Sequence, residues 1–207
     1  MIDEQNAVGT LLTMTGFAFA TSASPGPVNI VSAMSGARFG ARKTIPYVFG
    51  ATVGFITILA MAGVGLGAIL VQLPWAEQAL AVLGAIYMIY LAYRLARASI
   101  GNMADLGGQA PPNFLAGVAA QYSNPKAWVV AISAVSIYVS TSVDYRFTLI
   151  LFCMVFFVVC FPSLLMWSVV GASAAQRVCD LKAFNIVMAC LLIISVAFSL
   201  FEVFQSG

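Results

Sequence analysis

Two short polar interruptions of apolar runs hold the residues that could do chemistry. The first is Ser24-Pro25-Gly26-Pro27, with Asn29 shortly after; the second is Ser123-Asn124-Pro125-Lys126. Ser24 and Asn124 are good N-cap residues, and proline suits the first helical position. Pro25 and Pro125 therefore predict that each interruption opens a new half-helix. The first turn of a helix leaves N–H groups unpaired and carries a partial positive charge, which favours anions, carboxylates included. Gly26 removes a side chain, so a ligand can approach the backbone closely. Asn29, one turn on, offers a further amide, and Lys126 adds a cation. The pattern points to a small carboxylate-bearing ligand held by Ser24, Pro25, Gly26, Pro27, Asn29, Asn124, Pro125 and Lys126.

These residues need elements to position them, and composition says what kind. The chain has 207 residues, 62% hydrophobic and only 8% charged, with a mean hydropathy of +1.00. Soluble domains average about 25% charged residues. A soluble fold of this length could not bury so much apolar surface. A net charge of +2, with no single basic patch, excludes a nucleic-acid partner. Nothing is charged from Gln5 to Ala37, from Thr44 to Ala76 or from Phe147 to Gln176. A helix needs about 20 apolar residues to cross a bilayer. With Lys126 read as internal, the uncharged stretches predict six spans, at about 7–35, 45–72, 76–96, 113–140, 147–171 and 183–204. Membrane lipid is therefore an expected partner. The Met-Ile-Asp-Glu start has no basic flank of the secretory kind, so span 1 is expected in the mature protein.

Seven of the nine basic residues fall in the loops after spans 1, 3 and 5; the opposite side holds Arg146. Lys and Arg collect on the cytoplasmic side, so both termini are expected in the periplasm. The most polar linker, about 99–112, separates repeat 1 (about 1–98) from repeat 2 (about 113–207) within a single transmembrane domain, 1–207. Pro25 and Pro125 lie 100 residues apart, each in the first helix of its half. Three spans per half is an odd number, so the second half must be upside down. The expected fold is an all-α polytopic membrane protein: six transmembrane helices as a 3+3 inverted repeat, with helices 1 and 4 broken near the midplane. Paired broken helices in an inverted repeat mark a secondary transporter with its substrate site at the breaks.

Lys126 sits about 13 residues, or about 20 Å, into span 4. An ammonium at that depth costs about 2.5 kcal/mol or more, so it should face the interior and work. It would pair with a substrate carboxylate or carry the coupled proton. The competing reading starts span 4 at Ala127 and leaves Lys126 at a membrane edge, which strands the apolar segment Phe114 to Ala120. Tyr90 and Tyr93 suit an interfacial aromatic belt; Tyr87 lies deeper and is a candidate substrate contact. Gly50, Gly54, Gly63, Gly65 and Gly67 suit close helix packing, and Pro162 is a candidate hinge. Cys153, Cys160, Cys179 and Cys190 form no C-x-x-C pair and read as small core thiols. With no histidine, and no Asp or Glu inside a span except Glu77 and Glu202 at span ends, no metal or cofactor is expected. No hydrolytic constellation is present either, so the chain is not expected to be an enzyme.

The segment Ser24-Pro25-Gly26-Pro27-Val28-Asn29, then Gly36, Gly40, the basic residues and Gly50-x-x-x-Gly54, is followed by Leu83-Gly84-Ala85-Ile86-Tyr87-Met88-Ile89-Tyr90-Leu91 and Asn124-Pro125-Lys126. Together these resemble the LysE/RhtB family of bacterial amino-acid exporters over essentially the whole chain. The resemblance implies export of amino acids or close derivatives across the inner membrane, driven by the proton gradient, and a homodimer. Lysine exporters of that family carry Gly-Pro-Gln-Asn in the first span and an acid in the second. This chain has Gly26-Pro27-Val28-Asn29 and no acid in span 2, so a cationic side chain would lack a partner. Neutral substrates are expected. The other readings are a membrane scaffold or assembly protein, which the near-absence of loops disfavours, and a small-solute channel, which would build its pore from identical subunits.

Overall fold

The computed structural model describes residues 4–65, 74–96, 110–140, 142, 144–177 and 181–206. Most of the predicted linker, as well as Cys179, lies outside the described residues. The regular elements among them are all helices: α1 (Glu4–Ala23), α2 (Pro27–Phe39), α3 (Ala41–Gly63), α4 (Pro74–Ala96), α5 (Phe114–Tyr122), α6 (Pro125–Ala134), α7 (Tyr145–Arg177) and α8 (Leu181–Ser206). α6 runs on into a single π-helical stretch, Val135–Val139.

Both predicted interruptions are real breaks, between α1 and α2 and between α5 and α6. Asn113 starts α5 by accepting the Ala116 N–H at 2.9 Å. Gly40 turns the chain from α2 into α3 at φ 83°, a backbone conformation that suits glycine. α7 is longer than span 5 predicted, 33 residues running through Pro162. Two helices, Ala41–Gly63 and Tyr145–Gln176, are each long and apolar enough to cross a membrane unaided.

The broken helices pack on unbroken ones. α2 and α1 lie along α7, α5 and α6 lie along α3, and α4 lies along α8. Small residues let backbones meet. Gly36 faces the Ser168 backbone and Gly171 faces that of Ala33, which joins α2 to α7; Gly50 faces Phe114 and Gly117 faces Tyr47, which joins α3 to α5. At none of the four is there room for a Cβ.

Two apolar cores result. One gathers Val31, Met34, Tyr47, Met88 and Leu164; the other is aromatic, with Phe55, Phe152 and Phe156 beside Trp128. Meanwhile large apolar side chains point outward: Leu12 is 67% exposed, Val158 69% and Ile194 64%. An apolar exterior on this scale requires lipid or a partner, not water.

Candidate functional site

At the first break α2 starts later than the sequence predicts. Its N-cap is Gly26, not Ser24, and Pro27 takes the first turn in place of Pro25. The cause is the pair of prolines. A residue before proline is pushed out of the helical region, so Ser24 before Pro25 and Gly26 before Pro27 both resist it. Gly26 is accordingly extended, φ −165° and ψ 173°. Ser24 is left with a different task. Its hydroxyl donates to the Thr21 carbonyl at 3.0 Å and accepts from Lys126 Nζ at 2.7 Å.

Lys126 thus reaches from the second break to the first. Nζ also donates to the Ser24 carbonyl, at 3.4 Å. An ammonium has three donors, so one proton stays available to a ligand. Gly26 makes room for this lysine: a Cβ at position 26 would stand 3.3 Å from Nζ and 3.7 Å from Asn29 Oδ1. The space above Gly26 that the sequence offers to a ligand is therefore shared with Lys126. Asn29 is not a free amide either, because its Nδ2 donates to the Ser22 carbonyl at 2.8 Å and braces the break. Trp167 of α7 donates its indole N–H to the Ala23 carbonyl at 3.1 Å.

The second break follows the sequence rules more closely. Asn124 is the N-cap of α6 and Pro125 takes the first turn, although the Asn124 side chain makes no capping bond. Trp128 Nε1 donates to the Tyr122 carbonyl at 2.9 Å. Gly84 of α4 lies against the Ser123 backbone with no room for a Cβ, so the tyrosine-bearing segment backs this break. Tyr87 itself does not line the cavity described next; its hydroxyl donates to the Ala116 carbonyl at 3.2 Å and ties α4 to α5.

Between the breaks, at the seam of the two cores, lies a cavity with about 380 Å³ of atom-free space, counting the part continuous with the outside. Of the predicted site residues, Asn29, Asn124 and Lys126 line it; Ser24 and Gly26 adjoin it through Lys126. Sequence reasoning missed Gln121, Phe55, Phe156 and Leu164, which line it as well. Gln121 carried a weak signal, as an amide in an apolar run one turn before the break. The aromatics carried none, since an apolar run of any kind would contain them. The cavity brings together the Lys126 ammonium, the first turn of α2 through Val28 and Asn29, the amides of Gln121 and Asn124, and apolar side chains. It can hold a small anionic group and an apolar or neutral remainder.

A polar cavity at paired helix breaks, in a bundle with an apolar exterior, is the build of a membrane transporter. The chain belongs to the LysE type translocator family, which matches residues 19–203 and so takes in both breaks. It is a family of transporters, not enzymes. Among curated proteins, the cysteine/O-acetylserine efflux proteins of Escherichia coli (strain K12), Shigella sonnei (strain Ss046) and Shigella flexneri are each 30% identical over 121 residues. That stretch is 58% of this chain and 60% of each relative, so the match spans less than two thirds of their length. No solved structure matches the chain significantly.

Proposed function

We propose that this protein is a secondary transporter of the bacterial inner membrane that exports neutral amino acids or close derivatives in exchange for protons. The observation that carries the reading is the convergence of Lys126 and the α2 N-terminus on one cavity. Both favour a carboxylate. Away from their ends, where Glu77 and Glu202 lie, the spans contain no acid to pair a cationic side chain, and the relatives' names carry cysteine and O-acetylserine, whose side chains have no positive charge.

The 3+3 inverted repeat gains support from the packing. Each half's broken helix lies on the other half's second helix, α1 and α2 on α7 as α5 and α6 on α3, while the third helices α4 and α8 meet each other. A two-fold relation between the halves would exchange these pairs. The outward apolar side chains would meet lipid or, over part of the surface, a second copy in a homodimer. Lys126 is also the candidate proton carrier, because the spans offer no His, and no Asp or Glu away from their ends.

Counterflow of labelled amino acids in vesicles containing the purified chain tests the function. Exchange of neutral amino acids is expected, and its absence across a full panel would overturn the reading. Reporter fusions test the orientation. A fusion at Gly207 should read periplasmic and one near Gly107 cytoplasmic; a cytoplasmic signal at Gly207 would reverse the topology.

A further inference from the structure

We infer that Gln121, with Asn124 beside it, receives the α-ammonium of the substrate in the cavity that Lys126 also lines, so that the site reads an amino acid by both of its charges. This rests on the reading of the cavity as an amino-acid site.

The polar groups that line the cavity are of two kinds. The Lys126 ammonium and the first turn of α2, with Val28 and Asn29, favour a carboxylate and disfavour an ammonium. The amides are the other kind: Gln121 is 6% exposed and Asn124 5%. Both line the cavity, and Gln121 Oε1 and Asn124 Oδ1 are buried without a hydrogen-bond partner. Buried amide oxygens are nearly always paired, and an exception requires a reason. A zwitterion supplies one: once its carboxylate meets Lys126, its ammonium needs acceptors, and among the described residues that line the cavity these two are the buried oxygens without a donor.

Gln121 is also held in position. It is the second-last residue of α5, and α3 passes so close that a Cβ on Gly54 would stand 3.2 Å from Gln121 Cβ. The side chain is buried where these two helices meet. Phe55 and Phe156 face the same cavity and offer no competing acceptor.

The full chain in vesicles, exchanging labelled O-acetyl-L-serine, tests this. The competitors are unlabelled O-acetyl-L-serine and its analogue with a hydroxyl in place of the α-ammonium. The unsubstituted chain should prefer the amino acid. Gln121→Leu should weaken competition by the amino acid about 10- to 100-fold, the worth of a hydrogen bond to a charged group, and leave the hydroxy analogue within about threefold, so that the preference collapses. Gln121→Met, closer in shape, reads the same should the leucine variant fail to assemble. Gln121→Glu keeps acceptor oxygens and should keep the preference. An unchanged preference in both apolar variants, or its loss in Gln121→Glu, overturns the inference alone. Failure of the unsubstituted chain to exchange any amino acid overturns the functional reading as well, which separates the two.

Discussion

At the first break three consecutive carbonyls, those of Ser22, Ala23 and Ser24, accept from Asn29, Trp167 and Lys126, side chains on three different helices. At the second, the donor is local: Trp128 bonds the Tyr122 carbonyl six residues back. The amide oxygens of Gln121 and Asn124 go unmatched there. Both breaks solve one problem, since a broken helix in a membrane must find partners for its freed backbone groups. The first is tied down by Trp167 and Lys126 from other helices as well as by its own Asn29. The second braces itself and keeps its hydrogen-bonding capacity for something else. A ligand-binding role therefore weighs more on the second break, and an anchoring role on the first, with Lys126 as their link.

Substitutions at that link should have the largest effect. Lys126→Met removes charge and proton together and should weaken substrate binding about 10- to 100-fold, with uphill efflux lost. Lys126→Arg should retain exchange but lose gradient-driven efflux, because arginine does not release its proton. Efflux and counterflow in the same vesicles measure both. Unchanged uphill efflux in Lys126→Met would return the residue to a membrane edge.

Next is Gly26→Leu. Its Cβ would stand 3.3 Å from Nζ, and the rest of the side chain must displace the lysine. Efflux at matched membrane abundance should drop about tenfold or more, in line with the loss of one charged contact. Normal efflux would detach the first break from the site.

The two tryptophans sharpen the contrast. Trp167→Phe and Trp128→Phe each strand a backbone carbonyl, at about 1–3 kcal/mol, and should lower the thermal midpoint in detergent by about 2–10 °C. Only Trp128→Phe should also shift apparent substrate affinity, since it loosens the break that holds Gln121 and Asn124. Equal affinity shifts would erase the distinction between the breaks. Smallest of all is Tyr87→Phe, which loses one hydroxyl bond to Ala116, worth about 0.5–1.5 kcal/mol. Its efflux should stay within about twofold; a tenfold loss would restore Tyr87 to the substrate.

The sequence made the breaks legible because their signals are local. Proline, glycine and cap residues act on their own backbone, so Asn124-Pro125 opened a helix as read. The two-residue error at Ser24 was also a local matter: the rule for residues before proline, applied twice, moves the start to Pro27. Gln121 and the two tryptophans were not legible, since their roles depend on which helix lies opposite. Asn29 was legible in part, since it lines the cavity as expected. Its amide type was right, but its partner, the Ser22 carbonyl, is a matter of how the break folds back.

The bond from Lys126 to Ser24 spans 102 residues of chain. At synthesis rates of about 5–20 residues per second, the first break emerges about 5–20 s before its lysine does. For that interval the Ser24 carbonyl and hydroxyl must do without their final donor. Of the three side chains that brace the first break, only Asn29 is then in place; Lys126 and Trp167 come with the second half of the chain.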